Sequence, residues 1–122
     1  MSRHILVVED SNGNRHLALR MLSLWRNLVV YGAQSGEIAL DLAEQIHFDT
    51  ILLDIGLPGI SGVETYQRLR ARPSGAALRI IACTAFAGPE DHIEFRQLGF
   101  DAILTKPFLL EELSEVLGLP AL

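Results

Sequence analysis

The chain has 122 residues, 49% hydrophobic and 20% charged, with a formal net charge of −5 at pH 7. That length and balance suit one globular domain with a core of its own and exclude a disordered tail, while the negative charge argues against broad binding to nucleic acid or anionic lipid. No run nears the roughly 18 apolar residues of a membrane span, MSRHILVVED lacks a leader pattern, and the single cysteine, Cys83, has no internal disulfide partner, so a cytoplasmic setting without membrane insertion is expected.

In chain order, short β-type runs alternate with longer helical patterns. HILVVE (4–9) is a compact apolar run, and residues 13–26 follow with Leu17, Met21, Leu22 and Trp25 at helical spacing. LVVYGA (28–33) reads as the second strand and SGEIALDLAEQI (35–46) as an amphipathic helix. DTILLD (49–54) is the third strand. Ser61 with Glu64 three residues on forms a capping-box pattern, so a helix is expected from there to about Arg72, before Pro73. LRIIACT (78–84) is the fourth strand. Pro89, Glu90 and Asp91 suit the first turn of the next helix, and Gly99 its C-terminal cap. DAILT (101–105) is the fifth strand, and LLEELSEVL (109–117) the last helix, stopped by Gly118.

Five βα units in one unbroken domain, residues 1–122, are therefore expected, with no linker or repeat. The strands are near-continuous apolar runs, the pattern of strands buried on both faces, which means a parallel sheet with helices on each side. Right-handed crossovers then leave few topologies, and ligands bind outside the carboxyl ends of the strands.

Those ends carry unusual chemistry. Strand one ends in Glu9-Asp10, strand three in Asp54, strand four in Thr84 and strand five in Thr105-Lys106. In a parallel sheet these ends share one edge. Lys106 is also the only lysine among ten basic residues, and it sits in the mostly apolar stretch FDAILTKPF. Clustered carboxylates repel and hold their protons more tightly unless a cation joins them. Oxygen-only ligands favour a hard ion, Mg2+ or Mn2+, which keeps several waters and leaves room for a phosphoryl oxygen. Phosphoryl transfer asks mainly for positioning and charge neutralisation, and a carboxylate is a competent nucleophile.

VVED (7–10), LLDIGLPGISG (52–62), ACTA (82–85) and TKPF (105–108), taken together and in this order, resemble the receiver domains of two-component response regulators. The resemblance implies a flavodoxin-like doubly wound (βα)5 fold, an α/β class, with a five-stranded parallel sheet in the order 2-1-3-4-5. It implies Asp54 as phosphoacceptor, supplied by a histidine kinase or a histidine phosphotransfer protein. It also implies Mg2+ held by Asp10, by Glu9 largely through water, by Asp54 and by the backbone carbonyl of Gly56. Thr84 would hydrogen-bond the phosphoryl group, Lys106 would pair with Asp54 or its phosphate, and the Lys106–Pro107 bond would be cis. The chain would then be a signalling module rather than an enzyme, either a single-domain regulator or a receiver from a longer protein such as a hybrid kinase.

The sequence departs from the family at strand five, where Ile103 takes a position often held by Tyr or Phe. Readout through an aromatic rotamer is therefore not expected, and dimerisation through the helix 4–strand 5–helix 5 face stays open. Gly56 and Phe86 flank Asp54 and Thr84, and both should influence the lifetime of the phosphorylated state. His4, His16, His47 and His92 share no metal-ligand spacing; Cys83 reads as core, and Glu111, Glu112 and Glu115 as a solvated face. Ile93, Phe95 and Leu98 suit either packing or a partner face.

Competing readings are weaker. A dehalogenase-type phosphatase would need a second acid two residues after Asp54, where Gly56 stands. A dinucleotide site would need G-x-G-x-x-G after strand one, where SNGNRH stands. A receiver-like docking module without phosphorylation switching is the alternative that Ile103 keeps alive.

Overall fold

A computed structural model describes residues 2–85 and 88–122. Five strands, β1 (Arg3–Val8), β2 (Leu28–Ala33), β3 (Thr50–Asp54), β4 (Arg79–Thr84) and β5 (Ala102–Thr105), alternate with five α-helices: α1 (Asn12–Leu22), α2 (Gly36–Gln45), α3 (Gly62–Arg70), α4 (Pro89–Leu98) and α5 (Leu110–Leu117). All described strand pairs are parallel, in the order β2-β1-β3-β4-β5 expected from the family resemblance.

Successive strand residues point to opposite faces. Ile5, Val7, Leu52, Ile81, Cys83 and Leu104 pack under α1 and α5, against Ala18, Leu22, Leu113 and Leu117. Leu6, Val8, Ile51, Leu53, Ile80 and Ala82 pack on the other side with Ala39 of α2, Tyr66 and Leu69 of α3, and Phe95 of α4. The apolar runs are continuous because both faces are covered. Their carboxyl ends are consequently held by two cores at once.

Three of the helices after β-strands start on the same device. Ser11, Ser35 and Ser61 each accept a hydrogen bond from the backbone N–H three residues on, at 3.3, 3.1 and 3.1 Å. A serine oxygen there satisfies one of the orphan amide groups of the first turn. At Ser61 the expected reciprocal half of the capping box is not formed. The Glu64 carboxylate instead pairs with Arg68 at 2.9 Å, one turn along the exposed face. Gly99 closes α4 with φ +109°, and Gly118 closes α5 with φ +66°. A left-handed cap of this kind favours glycine.

Two helices end earlier than their sequence pattern predicts. The first stops at Leu22 rather than 26: the Ser23 hydroxyl bonds the Arg20 carbonyl at 2.7 Å, and Trp25 turns inward to donate its indole N–H to the Pro120 carbonyl at 2.9 Å. Trp25 keeps its place in the core from a turn rather than from the helix. The third helix stops at Arg70, and a short 3-10 turn (Gly75–Ala77) leads into β4. Arg70 organises that junction. Its guanidinium donates to the carbonyls of Gly75 (2.8 Å) and Leu78, pairs with Asp101 at 2.9 Å and lies 5.1 Å from the centre of the Tyr66 ring.

Gly62, the first residue of α3, determines how the β3 end meets the helix. A Cβ there would lie 2.6 Å from the Ile55 Cα and closer still to the Asp54 carbonyl oxygen. Backbone cannot yield as a flexible side chain does. Gly62→Ala should therefore destabilise the domain by about 2–3 kcal/mol, and shift Asp54 as α3 and β3 move apart. Urea unfolding combined with amide shifts at Asp54 and Ile55 measures both effects.

Candidate phosphoacceptor site

The β3 backbone delivers Asp54 to the carboxyl edge two residues after Leu52, on the face covered by α1 and α5. Its register partner on β4 is Cys83. Glu9 follows β1 and extends its ladder by donating its N–H to the Ala33 carbonyl at 3.0 Å. Arg15, reaching back from α1, bonds the Glu9 carbonyl at 2.9 Å. Lys106 follows β5 and donates its backbone N–H to the Thr84 carbonyl at 2.8 Å. Glu9, Asp54 and Lys106 thus each leave a backbone that is hydrogen-bonded into the sheet edge.

The structure brings the expected residues together. One carboxylate oxygen from each of Glu9, Asp10 and Asp54 lies within 4.8 Å of the others. Glu9 and Asp54 are buried, and Asp10 is exposed. The Lys106 ammonium bridges two of the acids, at 2.8 Å from Glu9 Oε1 and 3.1 Å from Asp54 Oδ1. The Gly56 N–H also donates to Asp54 Oδ1, at 3.0 Å. Both donors described for Asp54 therefore converge on one oxygen, and no described hydrogen bond takes Oδ2. Thr84 is buried at the end of β4. The Lys106–Pro107 peptide bond is cis.

The electrostatics of the three groups are linked. Burial raises the pKa of Glu9 above its ordinary 4.5; hydrogen bonds from Lys106 and from the Ser11 N–H offset this only in part, and the nearby Asp54 charge adds to it. Burial alone would lower the pKa of Lys106, but its hydrogen bonds and charge pairing with Glu9 and Asp54 outweigh that and raise it above 10.5. One ammonium therefore leaves the acids short of positive charge. Burial also pushes the Cys83 thiol up to about 12, so it is an inert core group at neutral pH.

Of the other positions singled out by sequence, Ile103 is half-buried and packs against the core under α2, α3 and α4. Phe86 lies outside the described residues. Phe95 is core, whereas Ile93 and Leu98 are exposed, so α4 both packs and presents an apolar outer edge. Glu111, Glu112 and Glu115 are solvated, with Glu112 also accepting the Leu109 N–H at 2.9 Å. Sequence reasoning did not foresee that Lys106 would pair more closely with Glu9 than with Asp54. Nor did it separate Leu17 from the core: that side chain is 58% exposed and lines a cavity beside Asp54.

The family model for the response regulator receiver domain matches residues 5–118, and the chain belongs to that family. The polar-differentiation response regulator DivK of Brucella ovis is 33% identical over 123 residues, spanning 96% of this chain and 94% of the regulator. Sensor histidine kinase AruS of Pseudomonas aeruginosa is 35% identical over 116 residues, which cover 93% of this chain but 12% of the kinase. Among solved structures, chemotaxis response regulator CheY4 of Vibrio cholerae matches with a TM-score of 0.89 at 28% identity, over 97% of this chain and 98% of that one. The receiver domain of sensor histidine kinase PA1611 from Pseudomonas aeruginosa matches with a TM-score of 0.85 at 33% identity, over 96% and 95%. That domain was solved with a magnesium ion coordinated in its active site cleft. The chain is thus a receiver domain of two-component signalling, and no helix among the described residues is long and apolar enough to cross a membrane.

Removing the ammonium should expose its role. Lys106→Met leaves two buried carboxylates without their shared partner and should lower stability by about 2 kcal/mol at pH 8. Because the Lys106 pKa is raised in the folded chain, its contribution is full below pH 10.5 and is lost as pH rises through the folded value. Denaturant unfolding across this range should show wild type and variant converging above pH 10.5.

Proposed function

We propose that the chain is a phosphorylation-controlled receiver that accepts a phosphoryl group on Asp54. The observation carrying this reading is the asymmetry of Asp54: Oδ1 is held by Lys106 and the Gly56 N–H, while Oδ2 has no described donor. In the proposed step Oδ2 attacks phosphorus in line. An oxygen–phosphorus bond forms at Asp54, and the bond from phosphorus to the donor's imidazole nitrogen breaks, its electron pair staying on the ring. Rigid placement by β3 supplies the orientation, which is most of what such a transfer asks of a protein.

The other residues take supporting roles. Lys106 neutralises charge on the transferring group and afterwards holds the acyl phosphate. The Thr84 hydroxyl hydrogen-bonds a phosphoryl oxygen. Asp10, Asp54 and the Gly56 carbonyl would ligate a divalent cation, with Glu9 placed to act through water. The donor set fits Mg2+ or Mn2+: three carboxylates with clustered oxygens, one exposed to solvent, and one ammonium too few to neutralise them. When bound, Mg2+ supplies charge neutralisation on the phosphoryl oxygens. The donor is a phosphohistidine on a histidine kinase or phosphotransfer protein. It must approach from the open edge of the sheet, where Asp10 and Pro107 are exposed.

Signalling would follow from a shift between two conformations that bind the phosphoryl group unequally. Because position 103 holds an isoleucine, half-buried against the core, the readout would not pass through an aromatic rotamer at that site.

Treatment with acetyl phosphate and Mg2+ should add one phosphoryl group by intact mass. Asp54→Asn and a chelated sample should stay unmodified. If hydrolysis outruns detection, beryllofluoride with Mg2+ should still bind the wild type and not the variant. Failure of both would leave a receiver-shaped docking module that does not switch by phosphorylation.

A further inference from the structure

Beside Asp54, between α1 and the loop after β5, lies a cavity of about 360 Å³. That falls within the usual range of small-molecule sites, about 300–1,000 Å³. Most of its wall is apolar, formed by Leu17, Met21, Leu52 and Phe108. Charged groups converge at one end, where Glu9, Asp54 and Lys106 meet. The surface is therefore split into an apolar body and one polar pole, which is how sites for small organic ligands are usually built.

The pole has a definite sign. Two carboxylates line it, and the Asp10 carboxylate lies within 4.8 Å of them, against one ammonium already engaged by both acids. Burial of Glu9 without full compensation is consistent with that excess. An organic anion would meet like charge. A neutral apolar molecule would use the walls but leave the pole unchanged. A polyamine would press further charges against apolar wall, which is costly. An ammonium with a compact apolar tail satisfies both parts, because it donates up to three hydrogen bonds and Asp54 Oδ2 has no described donor.

We propose that this cavity binds small primary ammonium ions bearing a compact apolar tail, with the head at Glu9 and Asp54 and the tail against Leu17, Met21 and Phe108. Because the head uses oxygens that would ligate the metal, such a ligand excludes Mg2+ and holds the receiver in an unphosphorylatable state. This exclusion rests on the metal reading of the acidic cluster above.

The test uses amide-resolved NMR of the full chain, with 2-phenylethylammonium as probe and 2-phenylethanol and methylammonium as controls. Mg2+ is first titrated alone, and its shifts should centre on Glu9, Asp10 and Asp54. The probe should shift Met21 and Phe108 as well as Asp54, with both controls at least about tenfold weaker because each lacks half of the match. Mg2+ at ten times its own Kd should raise the apparent Kd of the probe about elevenfold by mass action. Leu17→Ser should weaken the probe several-fold and leave Mg2+ binding unchanged. Equal binding of 2-phenylethanol, shifts remote from the cavity, or indifference to bound Mg2+ would each overturn the proposal while leaving the metal reading intact. Absence of any Mg2+ shift would overturn the metal reading itself, and the exclusion with it.

Discussion

The pairing of one ammonium with two buried carboxylates governs this domain. Glu9, Asp54 and Lys106 come from the ends of β1, β3 and β5, and their contact requires those strand ends to be held in register across the sheet. Buried charge is costly unless it is paired. The arrangement is incomplete as it stands, because the acids outnumber the ammonium and the pKa of Glu9 is raised. A cation bound among these oxygens would restore the balance. Three clustered carboxylates facing one ammonium form a donor set suited to a hard divalent ion.

The rest of the fold keeps that costly cluster in place. Both faces of the sheet are packed, so each strand end is anchored by apolar contacts on two sides. Serine caps start α1, α2 and α3 immediately after the loops that leave the strands, and Gly62 lets α3 begin against the backbone of Asp54 and Ile55. On the far side, Arg70 ties α3 to the turn before β4 and to Asp101 before β5. These contacts fix where the carboxylate of Asp54 stands, and leave Asp10 and Pro107 exposed at the carboxyl edge of the sheet.

Much of this was legible in the chain. Strands buried on both faces must be apolar throughout, so HILVV, ILL and RIIAC announce a parallel sheet. Once parallel, their carboxyl ends share an edge, and the acids and the lysine fall together. What escaped reading depended on contacts between distant segments. Trp25 continues the helical spacing of Leu17 and Met21, yet it is buried by a turn and by a bond to Pro120 that spacing cannot encode. Leu17 has the residue type and periodicity of core but is exposed and looks onto the cavity. The preference of Lys106 for Glu9 depends on a distance of a few tenths of an ångström between strand ends, below what sequence spacing resolves.

The chemical identity of the acceptor is the central claim to test. Borohydride reduces an aspartyl phosphate to homoserine, so treating the chain with acetyl phosphate and Mg2+, then borohydride, and sequencing its peptides by mass locates the acyl phosphate. Homoserine is expected at position 54, with unmodified acids at Glu9 and Asp10. Homoserine at Asp10, or at no position while a Mg2+-dependent phosphoryl adduct is present, would contradict it.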